Sequence, residues 1–133
     1  MNILIVDDQP NIARVTALAL ELLGCRTFTA QGTAGAAGVL ATERIDAVFL
    51  DVNLRGESGL EYLSQLVARP HHPPVILFTA GDKEEFAAEA RRRGAFNCLS
   101  KPFSPEDLRA QIARIEQHLR RRAGALAGQA APA

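Results

Sequence analysis

With 133 residues, 47% hydrophobic and 23% charged, the chain has the composition of one globular domain large enough to bury a core. Fifteen basic residues balance fifteen acidic ones, so no overall field draws the chain to nucleic acid or to a membrane surface, and neither is expected as a partner. The opening residues meet Asp7-Asp8 too soon for a secretory leader, and no apolar run approaches the length of a membrane span, so a cytoplasmic setting is expected.

The first predicted strand, Ile3-Leu4-Ile5-Val6, runs straight into Asp7-Asp8. Pro10 suits the first turn of a helix whose apolar face is expected at Ile12, Val15, Leu18, Ala19 and Leu22, with Gly24 as its stop. A shorter strand near residues 26–29 follows, then a helix over 33–42. That second helix is weak by composition, since Gly35 and Gly38 each cost about 1 kcal/mol relative to alanine. The central strand, Ala47-Val48-Phe49-Leu50, is an apolar run that ends in Asp51, and glycines at 56 and 59 mark a loop before a third helix over 58–68.

Pro70-His71-His72-Pro73-Pro74 is a rigid connector, read as a solvated turn because nothing nearby completes a metal ligand set. Val75-Ile76-Leu77-Phe78 forms the fourth strand and ends in Thr79. The fourth helix, over 83–93, carries Glu84 and Glu85 in its first turn and three arginines in its last, matching the helix dipole, with Gly94 as cap. Phe96-Asn97-Cys98-Leu99-Ser100 forms the fifth strand and runs into Lys101. Ser104, Pro105 and Asp107 then open the last helix with a variant of the capping box, and Leu108, Ile112, Ile115 and Leu119 give it a narrow apolar stripe. The domain is expected to cover residues 1–122, and the alanine- and glycine-rich stretch 123–133 to be a flexible tail or linker stub.

Five strands alternating with five helices imply the α/β class: a (βα)5, flavodoxin-like, doubly wound parallel sheet with right-handed crossovers. The most apolar strands belong in the middle, which gives the order 2-1-3-4-5. Cys25 and Cys98 then fall at opposite edges, roughly 19 Å apart at about 4.8 Å per strand step, beyond the reach of a disulfide. In such a sheet ligands bind outside the carboxyl ends of the strands where the order reverses, here between the first and third. Asp7, Asp8 and Asp51 flank that crevice, and Thr79 and Lys101 approach it from the other side.

Three carboxylates so close cannot all stay ionised without a cation. Oxygen ligands with room for water suit a hard octahedral ion such as Mg²⁺. A metal and Lys101 together exceed what the acids need, but they suit a phosphoryl group carried on one of them. Asp51, on the central strand, is the natural nucleophile, forming an acyl phosphate.

The chain thereby resembles the receiver domain of two-component response regulators, over residues 1 to about 122. The resemblance rests on Asp7-Asp8 after the first strand, Asp51 after the third, Thr79-Ala80 after the fourth and Lys101-Pro102-Phe103 after the fifth. It implies a phosphoacceptor signalling domain rather than an enzyme, one that assists its own phosphorylation and dephosphorylation. Asp51 would take a phosphoryl group from a sensor histidine kinase or a phosphotransfer protein. Asp8 and Asp51 would ligate Mg²⁺ directly, Asp7 directly or through water, and the Asn53 backbone carbonyl would complete the protein ligands. Lys101 and Thr79 would contact phosphoryl oxygens, the Lys101-Pro102 bond would be cis, and an output domain or partner protein would use the face of the fourth helix, fifth strand and fifth helix. Arg55 stands where many relatives have proline, and Cys98 where most have an aromatic residue. Of the rivals, an Mg²⁺-dependent aspartyl-phosphate phosphatase wants an acid where this chain has Asn53, and an FMN carrier wants hydroxyl donors where it has Asp7-Asp8. A receiver-like interaction module that is never phosphorylated has no use for the complete acid set.

Overall fold

β1 (Asn2–Val6), β3 (Ala47–Asp51) and β6 (Val75–Thr79) are almost wholly buried, and they form the middle of a five-stranded parallel sheet in the order β2 (Arg26–Ala30), β1, β3, β6, β7 (Asn97–Ser100). The computed structural model describes residues 1–79 and 83–130. Ala80 of the family motif and residues 131–133 of the expected tail therefore lie outside the described residues, as do the side chains of Glu84 and Glu85. The edge strands, β2 (Arg26–Ala30) and β7 (Asn97–Ser100), are partly exposed, as their weaker apolar character requires. The expected order 2-1-3-4-5 is the one observed, with a short hairpin, β4 (Asn53–Leu54) and β5 (Glu57–Ser58), interposed after the third strand.

Continuous apolar runs serve both faces because successive side chains alternate. Ile3, Ile5, Phe49, Ile76 and Phe78 face α1 (Pro10–Leu22) and α5 (Pro105–Ala130), which contribute Ala13, Ala17, Leu20, Leu108, Ile112 and Ile115. Leu4, Val6, Val48, Leu50 and Leu77 face α2 (Thr33–Thr42), α3 (Gly59–Val67) and α4 (Lys83–Arg92). Each of the largest side chains, buried completely, contributes roughly 2–3 kcal/mol. Cys25 packs on the first face and Cys98 on the second, so the sheet itself separates the two thiols.

Local signals set the starts of α3 and α5. Ser58 caps α3 by accepting the Glu61 N–H at 3.3 Å. Ser104 and Asp107 form the expected reciprocal box at α5, at 2.8 and 3.1 Å.

One expectation is corrected. The inward face of α1 is Ala13, Thr16, Ala17 and Leu20, whereas Val15, Leu18 and Leu22 are 67%, 53% and 89% exposed. Both sets follow helical spacing; the one with smaller residues lies inward because α1 packs closely on β1, β2 and α5. The α5 helix runs through Ala130, as the high helix propensity of alanine permits.

Candidate functional site

The chain leaves β1 toward one face of the sheet and β3 toward the other, which opens a crevice at their carboxyl ends. Asp7, directly after β1, is fully buried, Asp8 beside it is half-buried, and Asp51 closes β3 at 7% exposure. One carboxylate oxygen from each of the three lies within 4.8 Å of the others. No other group of acids, histidines or cysteines among the described residues can hold a metal, and His71-His72 remains a turn, with His71 at φ 58°.

Lys101 bridges two of the acids, its Nζ donating to Asp51 Oδ2 at 2.8 Å and to Asp7 Oδ2 at 3.1 Å. Backbone amides occupy the remaining oxygens: Gln9 N–H donates to Asp7 Oδ1 and Asn53 N–H to Asp51 Oδ1, both at 2.9 Å. Burial pushes the Asp7 carboxyl above its usual range, against the Gln9 and Lys101 bonds, and the charge of Asp51 adds to the rise. Burial alone would lower the Lys101 ammonium, but its bonds to Asp51 and Asp7 outweigh that and raise it. The site thus keeps one cation for three acids, and the fit to a divalent ion rests on that deficit and on oxygen-only donors.

Thr79, 7% exposed, ends β6, and its carbonyl accepts the Lys101 N–H at 2.7 Å. With Asn53, Glu57, Leu60 and Phe86 it lines a cleft of about 530 Å³ between the hairpin and α4. Phe103 stacks on Phe78 at 4.8 Å and so braces the segment after Lys101, whose peptide bond to Pro102 is cis. All the residues expected at the site, Asp7, Asp8, Asp51, Asn53, Thr79 and Lys101, stand on this one rim. Sequence reasoning passed over Glu57, whose carboxylate reaches α2, and took Gly59 only as a loop marker, whereas its bare α-carbon lies against the carbonyl of Asp51. The only local signal for the hairpin is the Arg55-Gly56 pair between Leu54 and Glu57, a two-residue turn.

Fold and rim together define a doubly wound, flavodoxin-like domain with an acidic site at its topological switch point. A family model described as the response regulator receiver domain matches residues 3–113. PhoB, the phosphate regulon transcriptional regulatory protein of Pseudomonas aeruginosa, is 36% identical over 122 residues, covering 90% of this chain and 52% of that protein. The crystal structure of the NtrX receiver domain from Brucella abortus superposes with a TM-score of 0.80 at 31% identity, covering 85% of this chain and 96% of that one. A response regulator from Burkholderia pseudomallei, crystallised with a phosphorylated aspartic acid, a calcium ion and citrate, superposes with a TM-score of 0.75 at 25% identity, covering 90% of this chain and 74% of that one.

The chain belongs to the response regulator receiver domain family: it is a phosphoacceptor signalling domain of two-component systems. It spans only part of the curated relatives it matches, from 25% of AtoC of Escherichia coli to 52% of PhoB. No helix among the described residues is long and apolar enough to cross a membrane.

Proposed function

We propose that Asp51 is the phosphorylated residue and that Lys101 and Thr79 assist it. The observation that carries this reading is the placement of Asp51 at the end of the central strand, between the acid pair and Lys101. One Asp51 oxygen forms a bond to phosphorus as the phosphorus–nitrogen bond of a phosphohistidine donor breaks. The electron pair stays on the imidazole nitrogen, which takes up a proton. Lys101 and the Thr79 hydroxyl would contact the phosphoryl oxygens. Asp7, Asp8, Asp51 and the Asn53 backbone carbonyl would hold Mg²⁺, which when bound supplies the positive charge that lets a dianion approach three acids. The phosphorylated aspartate of the Burkholderia relative supports the same reading.

The donor is a sensor histidine kinase or a phosphotransfer protein. The apolar row of α1 supports docking there, since Ile12 and Val15 line a groove of about 500 Å³ with Lys101, Pro102 and Phe103, next to the acceptor. An output domain or partner would use the α4–β7–α5 face, and the cytoplasm, where ATP-fed kinases work, is the proposed setting. The test is intact-mass spectrometry after incubation with acetyl phosphate and Mg²⁺. The wild type gains one phosphoryl group, EDTA prevents it, and Asp51→Asn gains none. Equal labelling of wild type and Asp51→Asn removes Asp51 from the role.

A further inference from the structure

The β4–β5 hairpin follows Asp51 directly but has only two paired positions, Asn53 with Ser58 and Leu54 with Glu57, too few to hold a shape unaided. Leu54, 5% exposed, anchors one strand in the core, and the Gly59 N–H donates to Val52 O at 2.9 Å. The other strand is held from outside. The Glu57 carboxylate accepts the Thr33 N–H on Oε1 at 3.1 Å and the Thr33 hydroxyl on Oε2. Thr33 is the first residue of α2, whose own N-cap, Gly32, offers no side chain. The acid that caps α2 therefore comes from the hairpin, where the helix dipole also favours it. Those two bonds from Thr33 hold the Glu57 carboxyl below its usual range. Gly32 makes room for it, because a methyl group there would lie 2.7 Å from Glu57 Oε1.

The other end of the hairpin touches the acceptor: the Asn53 N–H donates to Asp51 Oδ1. A line of contacts thus runs from α2 through Thr33, Glu57 and the hairpin to the carboxylate. We propose that Glu57 is a positioning residue for Asp51. Clamped on Thr33, it fixes the hairpin and with it the Asn53 peptide, so that Asp51 and the Asn53 carbonyl keep one geometry. The role rests on Asp51 being the phosphoacceptor, and Glu57 acts through the hairpin rather than on the phosphoryl group.

Two variants test it by different routes. Glu57→Gln removes the charge and keeps an acceptor; Gly32→Ala leaves Glu57 intact and pushes its carboxylate off Thr33, at a φ of −166° that alanine adopts freely. Both are expected to speed amide exchange at residues 33–36 and at 53–58. Both are expected to weaken Mg²⁺ binding by calorimetry, and to slow labelling by acetyl phosphate at saturating Mg²⁺, each roughly threefold. Thr33→Ser, which keeps both donors, is expected to match the wild type. Faster exchange confined to 33–36, with Mg²⁺ binding and labelling unchanged in both variants, makes Glu57 a helix cap and overturns the proposal. A wild type that takes no label on Asp51 overturns the phosphoacceptor reading first, and the positioning role with it.

Discussion

Asp8 stands apart from the two acids it faces. Lys101 is hydrogen-bonded to Asp7 and to Asp51, while Asp8 meets them at the half-exposed mouth of the crevice. Its charge therefore adds repulsion that the lysine does not directly offset. Asp8→Asn is expected to raise the melting temperature in EDTA by about 3 °C and to weaken Mg²⁺ binding. A lower melting temperature would show that Asp8 serves chiefly to start α1. Gly59 makes the opposite case, in which the smallest change is harmful. A methyl group there would sit 2.3 Å from the Asp51 carbonyl oxygen and 2.6 Å from the Val52 α-carbon, both backbone atoms of the segment that carries the proposed acceptor. Gly59→Ala is expected to cost about 2 kcal/mol by urea unfolding and to slow labelling of Asp51. An unchanged urea midpoint would mean that the loop yields without strain.

At the level of elements, α1 departs furthest from what its sequence implied. Val15, Leu18 and Leu22 keep helical spacing as faithfully as Ala13, Thr16, Ala17 and Leu20, and weighing residues by size picks the wrong stripe. What decides is how near the helix comes to the sheet, and one helix read alone does not contain that distance. Leu18→Lys is expected to leave stability within about 0.5 kcal/mol and labelling by acetyl phosphate unchanged, while slowing transfer from a phosphohistidine protein. Equal transfer by both proteins would place the donor elsewhere. The hairpin was hidden for a related reason. Its two strands are too short to show a period, and its main tether, Glu57 to Thr33, spans 24 residues. The central strands were legible because each is a continuous apolar run stopped by a polar residue. Those stops, Asp7, Asp51 and Thr79, lie on the rim, and Lys101 joins them from the end of the edge strand β7. Cys98, in β7, packs against the face that α4 covers and brings no ring to it.

Across the whole molecule, Asp7, Asp8 and Asp51 share one end of the sheet, while Arg91–Arg93 and Arg120–Arg122 lie toward the other, where Glu89 pairs with Arg92 and Arg93 and Glu116 with Arg120. His118 lies in that second region, against Phe96 with ring centroids 5.1 Å apart. Burial, then Arg122, Arg121 and His72, push its imidazole below the ordinary value of 6.5. The unfolded chain therefore binds the proton first, and stability is lost as pH falls through 6.5 toward the folded value. His118→Gln is expected to flatten this loss as pH falls below 6.5; an unchanged slope in paired melts would exclude His118 as its source. The last turns of α5 reach the same basic end. Among the described side chains its inward stripe finishes at Leu119, and Arg122 makes a further bond to the His72 carbonyl at 3.0 Å, while the helix runs on to Ala130. At 26 residues it is a rod of about 39 Å, anchored near the site by the Ser104 box. Leu108, Ile112, Ile115 and Leu119 fix its direction against the sheet, so residues 123–130 carry the chain about 12 Å further along a line that the core itself sets.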